Sequence, residues 1–369
     1  MMTRTAQCVL LVSLSFSVFA KAPNPLCSGD VVSDFLTGDG SKTNPYLVCT
    51  NLQLQRLAQE LPLLEKHYRL GTDLDYQNFP FRIIGSATTP FTGTFDGNGY
   101  TISSISLLTA NTTHVAPFAY VKNGKIENLT INGMSQVTNI SNIAGGLVGR
   151  AENSSLVNIH ITGINMDAPN HSGGLVGELE GGFVINCSTE GTMSQHFGTD
   201  GSGGIVGNAK DADISSCSSN VKQVMVSNLP FGASAIGGVA GTLVGSRVSN
   251  VYSQGDIDYG ALDASGVAGV GGLVGAMNSS LLTNAYYAGK IVVQGAQDKG
   301  GAVGAIAGSI TENVFWDRQV SGVTQSAAGE SKTTKTLKKK TFWTALGFDE
   351  HLWRLIGGNY PALFGADGV

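Results

Sequence analysis

One short glycine motif recurs along this chain at nearly regular intervals, and that recurrence leaves few folds open to it. The motif reads GGLVG at Gly145–Gly149 and Gly173–Gly177, GGIVG at Gly203–Gly207, GGVAG at Gly237–Gly241, GGLVG at Gly271–Gly275 and GGAVG at Gly300–Gly304. Its last glycines, Gly149, Gly177, Gly207, Gly241, Gly275 and Gly304, follow one another at 28, 30, 34, 34 and 29 residues. Nine residues beyond each stand Asn158, Asn186, Ser216, Asn250, Asn284 and Asn313. A degenerate copy comes first, with Asn128 nine residues after Ala119 in Pro117-Phe118-Ala119. The arc from glycine to Asn/Ser is constant, while the remainder of the period varies by six residues. A helix would not accept these glycines, each costing about 1 kcal/mol against alanine. A phosphate-cradling loop needs one such element, not several.

Stacked β coils require this division. If each period is one turn of a solenoid, equivalent residues lie about 4.8 Å apart in parallel strands. The constant arc is the part that must stay in register, and the variable arc is a loop that bulges outward. Ile126, Leu156, Val184, Ile214, Val248 and Leu282, two residues before the Asn/Ser, form an apolar interior column, with Thr311 at its end. The Asn/Ser column puts amides at a bend, each able to bond the one above and below. Glycines permit sharp corners and close approach between coils. Helical repeats would show a 3.6-residue period and few glycines, whereas GKIENLTI and SRVSNVYS alternate and then turn.

Composition agrees. Fifty of 369 residues are glycine, only 13% are charged and 42% are hydrophobic, too many for a disordered chain and without the strict period of collagen. The net charge of −5 argues against nucleic acid as a partner. Residues 1–20, MMTRTAQCVLLVSLSFSVFA, read as an export signal: Arg4, an apolar run from Cys8 to Phe19, and a small-residue cleavage pattern at Val18-Phe19-Ala20. That run is too short to span a bilayer, and no later segment reaches membrane length. Export permits disulfides. Cys27 and Cys49 would close a short N-terminal loop. Cys187 and Cys217 each follow the Asn/Ser of adjacent coils, which stacks their Cα atoms inside the disulfide window. Both pairs are therefore expected to be bonded, with free buried thiols as the alternative.

The motif and its spacing resemble the GLUG repeat of bacterial surface and secreted proteins. GDGSKTNPYLVCTNLQLQRLAQ, Gly38 to Gln59, is similar to the opening and short helix that precede such repeats. PFTGTFDGNGYTISSISL resembles the family's first coil, and NVFWDRQVSG with GFDEHLWRLIGGNYPAL its C-terminal cap. The resemblance implies a right-handed parallel β-helix used for adhesion or matrix contact. Some family members adjoin the protease part of IgA-specific metalloendopeptidases.

An open solenoid needs lids at both ends. Thr50 and Gln53 form a capping box, and Leu54, Leu57, Ala58 and Leu61 fall on one helical face, which suits an N-terminal lid. Trp316, Trp343 and Trp353 gather near the C-terminus with Phe342, Phe348 and Tyr360, as a plug over the last coil or a sugar-binding platform.

Catalytic signals are sparse. His67, His114, His160, His171, His196 and His351 include no His-Glu-x-x-His pair, so zinc protease chemistry does not carry over, and each is expected on the surface or in a loop. Three residues after the final glycine or its Ala119 equivalent, successive coils carry Lys122, Glu152, Glu180 and Lys210. Glu152 and Glu180 should stack at a spacing near that of a retaining glycosidase pair, although a solvated charge column explains them too. FDGNGY at Phe95–Tyr100 and GTDGSGG at Gly198–Gly204 lack calcium-loop spacing and read as turns. Lys332, Lys335 and Lys338–Lys340 read as a solvated cap helix or, less simply, an anchor to anionic polymer.

The sequence thus divides into a signal peptide at 1–20, an N-terminal cap region with a short helix at 21–89, a parallel β-helix at 90–316 and a C-terminal cap at 317–369. It is expected to be an all-β, exported, monomeric, non-enzymatic protein, secreted or at the cell surface with the periplasm as a further address. It needs no cofactor and no metal and does not insert in the membrane. Its partner would be an extracellular polymer, glycan or host-surface ligand in adhesion or biofilm, presented to variable arcs such as Ser218–Ile236 and Gly255–Val270. The alternative is a carbohydrate-active β-helix enzyme using Glu152 and Glu180.

Overall fold

The computed structural model describes residues 21–365 apart from 29–33, 36, 109–112, 138–142, 169–170, 196–200, 226–233 and 264–266. The expected signal peptide lies outside these residues, as do His196 and parts of both variable arcs. Three parallel sheets wind around one continuous apolar core. Sheet C runs from His114–Val115 to Asp298–Gly300 and sheet B from Phe118–Lys122 to Val303–Ala307, with seven strands each. Sheet A carries the longest ladder, from Tyr46–Val48 through Lys125–Val137 and Ile310–Asp317 to Glu330–Lys332. Each complete coil passes through C, B and A in turn, giving seven three-sided coils. Sheet A begins before residue 90: Tyr46–Val48 pairs with His67–Leu70, which pairs with Thr94–Asp96.

The glycine motif makes the C-to-B corner. Gly149 and Gly177 are in register between the paired residues Val148↔Val176 and Arg150↔Glu178, and the later coils keep the same alignment. A Cβ on Gly146 would lie 2.0 Å from the Gly174 carbonyl oxygen of the next coil. Close approach of coil to coil therefore fixes the residue type there.

The Asn/Ser column is left-handed throughout, with φ of 53° at Asn128, 55° at Asn158, 53° at Asn186, 55° at Ser216, 53° at Asn250, 50° at Asn284 and 52° at Asn313. Asparagine tolerates this region better than other side-chain-bearing residues. Its amide then joins the coils: Asn158 Nδ2 donates to Asn128 Oδ1 at 2.9 Å, Asn186 to Asn158 at 2.8 Å and Asn313 to Asn284 at 3.0 Å. Asn128 continues the ladder to Asp96 Oδ1 at 3.0 Å. Five residues earlier lies a second left-handed column that the sequence reading did not single out. It comprises Asn123, Asn153, Gly181, Asp211, Gly245, Ser279 and Gly308, and it turns sheet B into sheet A.

At the N-terminus, Gln53 N–H donates to Thr50 Oγ1 and Gln53 Oε1 accepts from Thr50 N, the expected capping box on the helix Asn51–Gln59. Leu54 and Leu57 are buried, whereas Leu61 lies past the helix end and is 62% exposed, its place taken by Leu63 and Leu64. Cys27 and Cys49 form a disulfide with Cα atoms 5.2 Å apart. Closing a loop of this length is worth about 3 kcal/mol.

The second expected disulfide is absent: Cys187 and Cys217 are free and buried. Their neighbours align as Ile185↔Ser215 and Ser188↔Ser218, so the two thiols do stack. In-register side chains of parallel strands project side by side, however, and keep their Cβ atoms near the strand spacing of about 4.8 Å. A disulfide needs Cβ atoms at about 3.5–4.5 Å, with the bonds converging. Each thiol instead donates to a backbone carbonyl: Cys187 to Ile185 O at 3.3 Å and Cys217 to Ser215 O at 3.1 Å.

The aromatic C-terminal cap sits on the flank rather than over the end. Trp316 belongs to the interior, its Nε1 donating to Val323 O at 2.9 Å. Trp343 and Trp353 join a second apolar core with Tyr252, Tyr286 and Phe315, which project from the outer face of sheet A. Tyr252 and Tyr286 stack at 5.1 Å, and Trp353 Nε1 donates to Asn250 Oδ1 at 3.3 Å. Lys332 lies over the rings of Phe315 and Phe342, and Lys338 over Tyr360, so both pack onto the cap.

Two outcomes check this account. Asn158→Ala should destabilise the fold by about 2–3 kcal/mol in urea unfolding, from lost ladder bonds and left-handed strain, and Asn158→Gly by about 1 kcal/mol because only the bonds go. Alkylation without reductant of the chain lacking residues 1–20 should label no cysteine in the native state and two in denaturant, counted by intact mass.

Candidate functional site

Two surfaces on the outside of the solenoid gather functional side chains. The first is the charged half of sheet B. Lys122, Glu152, Glu180 and Lys210 are in register, as their spacing implied. Lys122 pairs with Glu152 at 2.9 Å and Lys210 with Glu180 at 3.1 Å. The adjoining outward column, one residue after each final glycine or its equivalent, supplies Tyr120, Arg150 and Glu178. Arg150 reaches Glu178 at 3.2 Å and Glu180 at 2.7 Å, and its guanidinium lies 5.7 Å from the Tyr120 ring centre. The Tyr120 hydroxyl donates to Glu152, and His171 of sheet C binds Glu178 through Nδ1. His114 stacks on Tyr120 at 6.0 Å.

The electrostatics follow from these contacts. Burial alone would raise the Glu178 carboxyl, but the His171 bond and the Arg150 and His114 charges outweigh it and hold the group below the ordinary value. Glu152 is also held low, first by Lys122 and then by Tyr120. Burial pushes the His114 imidazole down. A glycosidase acid must stay protonated near neutrality. Glu152 is drawn the other way, and Glu180 is engaged by both Arg150 and Lys210, so this stacked pair does not suit that chemistry.

Sequence reasoning found the column three residues after the glycine but overlooked Tyr120, Arg150 and Glu178 two residues closer. The opposite charges of Arg150 and Glu178 at one offset in successive coils were the available signal. His171 had been expected as a surface or loop residue; its side chain is only 21% exposed and is bonded to Glu178.

The second surface is a groove of about 400 Å³ across the first leg of sheet A. Phe183, Asp213, Arg247 and Leu281 form one outward column of successive coils, and Ile185, Ser215, Ser249 and Thr283 the next. Arg247 makes a two-pronged bond to Asp213, at 2.8 and 2.9 Å, with both side chains largely in solvent. Phe183 is 37% exposed at one end. The groove thus presents an aromatic ring, a charged fork and three hydroxyls in a line along the solenoid.

No family model matches the chain. Halomucin of Haloquadratum walsbyi is 30% identical over 148 residues, 37% of this chain and 2% of halomucin. A protein named for a Gly-rich membrane protein, from Evansella cellulosilytica, is 29% identical over 108 residues, 27% of this chain and 12% of that one. The chain therefore spans only a small part of these relatives. Among solved structures, a protein from Bacteroides ovatus proposed as an immunoglobulin A1 protease aligns at TM-score 0.53 and 17% identity, over 90% of this chain and 95% of that one. A second, named IgA1 protease, aligns at TM-score 0.54 and 18% identity, over 76% of this chain and 23% of that one. At such identities the likeness establishes the parallel β-helix fold. The expectation of a chain without enzymatic activity does not stand beside these neighbours, because both bear protease names. The Cys27–Cys49 disulfide and the halomucin likeness accord with an exported protein. No described helix is long and apolar enough to cross a membrane.

Glu178 has a pH consequence. Its folded-state pKa lies below the unfolded value, so ionised Glu178 adds stability that is fully present above the ordinary glutamate pKa of 4.5 and disappears as pH falls through the folded-state pKa. Glu178→Gln should flatten the acid limb of a melting-temperature profile between pH 6 and pH 3 and leave the basic limb unchanged in slope.

Proposed function

We propose that the chain is an exported β-helical scaffold that binds an extracellular carbohydrate polymer, free or on a glycoprotein, along the groove of sheet A. The carrying observation is the alignment of Phe183, the Asp213–Arg247 fork and the hydroxyls of Ser215, Ser249 and Thr283 on successive coils. A ring for an apolar sugar face beside a few oriented polar groups is the usual composition of a ligand site. A repeating ligand meets a repeating surface, so shallow contacts add along its length. The resemblance to GLUG-repeat proteins supports a role in attachment at the cell surface or in a matrix, and the halomucin likeness supports the extracellular setting.

A second reading rests on one arrangement, the His171–Glu178 pair. A carboxylate on Nδ1 orients an imidazole as a general base, and the protease names of the solved neighbours favour a secreted hydrolase. Fragment release from immunoglobulin A1 by the full chain, lost in His171→Ala, would support it. Intact immunoglobulin after prolonged incubation would remove it.

The binding reading is checked on a glycan array followed by titration calorimetry with the best polysaccharide. Arg247→Ala and Phe183→Ala should each weaken binding at least tenfold without altering the β-sheet circular dichroism. Binding equal to that of the unaltered protein in both variants would overturn the groove assignment.

A further inference from the structure

The last coil is closed by a short cut. Ala327 N bonds Val303 O at 3.0 Å, and Glu330 then pairs with Phe315. The chain thus needs three residues, 327 to 330, to cross between points that the coil beneath joins with twelve, 303 to 315. The arc between those points, the B-to-A corner of the final coil, has no strand laid over it among the described residues.

Side-chain exposure follows that outline. Ile306 stands above Met277 in the interior column, yet Met277 is 2% exposed and Ile306 36%. Thr311 stands above Leu282, which is fully buried, and is itself partly exposed. Ile310 projects outward beside them at 67% exposure. Beside them a groove of about 330 Å³ is lined by Thr311, Asn313, Val314, Gly329, Glu330 and the flank residue Phe342. Glu312, at the middle of the strand, has no ion pair among the described residues.

We infer that this corner is a docking site for an extended polypeptide segment that adds a further rung to sheets B and A. Strand addition to a bare edge derives its affinity from backbone bonds and its specificity from alternate side chains. The coils below define which side chains fit. Each presents the same acceptor to the next, and each is covered by an arc with one apolar residue over the Ile306 position, a second over Thr311, and Gly, Ser, Asn or Asp at each left-handed corner. Leu281 N bonding Ser246 O and Ile310 N bonding Ser280 O show the linkage that an added segment would repeat onto Ser309 O. A basic residue on its outer face would meet Glu312. The partner is therefore a segment with the repeat's own arc pattern, presented by another polypeptide.

The test uses the full mature chain and a fluorescein-labelled synthetic peptide of residues Gly275–Ala285, followed by anisotropy. Saturable binding is expected, reduced at least tenfold by the peptide variant Leu281→Pro, which removes the donor to Ser309 O, and by Ile306→Lys in the protein. Phe183→Ala should leave it unchanged, which separates this site from the carbohydrate groove. No saturable binding, or equal binding of the Leu281→Pro peptide, would overturn the inference whether or not Ile306→Lys folds. Self-association of the full chain in sedimentation, abolished by Ile306→Lys without peptide binding, would assign the corner to a second copy and overturn it equally.

Discussion

In-register stacking of coils is the constraint on which everything else in this molecule rests. A parallel solenoid has no freedom to shift one level against the next, because each backbone donor and acceptor at the corners is already aimed at its neighbour. The corners must therefore coincide, and two columns of left-handed residues make them do so. One is carried by Asn or Ser at every level, the other by Asn, Gly, Asp or Ser. The asparagines add a bond from coil to coil, so the residue that makes the bend also measures the spacing. Loops outside the nine-residue arc escape this control, and that is why the period can vary while the fold does not.

The same constraint explains how much could be read beforehand. Glycine spacing and the Asn/Ser offset made the fold legible because stacking leaves a linear trace in the sequence. The lateral cap was less legible. Tyr252, Tyr286 and Phe315 each stand two residues after Asn250, Asn284 and Asn313, an aromatic column on an outward face that only a flank partner could bury. The corresponding residues of earlier coils, Thr130, His160, Ser188 and Ser218, are polar, so the switch marks where the cap begins. The cysteines misled for a geometric reason: stacking sets Cα separation correctly for a disulfide but leaves the Cβ bonds parallel. Arg150, Glu178 and His171 went unrecognised because their association crosses two columns and two sheets, and no single offset shows it.

Stacking also governs the electrostatics of the flank. Identical charges on adjacent coils would lie about 5 Å apart and repel. Along sheet B the signs alternate where they can, with Lys122 against Glu152 and Glu180 against Lys210. Glu152 against Glu180 is the one unfavourable step, and the neighbouring column answers it with Arg150, whose guanidinium turns to Glu178 and Glu180. Carboxylates neutralised in this way hold a surface together and hold His171 in one orientation. They are poorly placed to donate protons themselves.

The two ends are finished by unlike means, and the difference locates the molecule's open surface. At the N-terminus a capped helix and a disulfide cover the first rungs, and Leu47 N is already bonded to Thr37 O. At the C-terminus the apolar residues that could have formed a plug are committed to the flank, where Trp343 and Trp353 bury the tyrosine column. Among the described residues, what remains for the end is a chord of three, too short to follow the coil beneath it. An end sealed by its own chain would have buried Ile306 as Met277 is buried, and the exposure of Ile306 and Ile310 follows directly from where the tryptophans went.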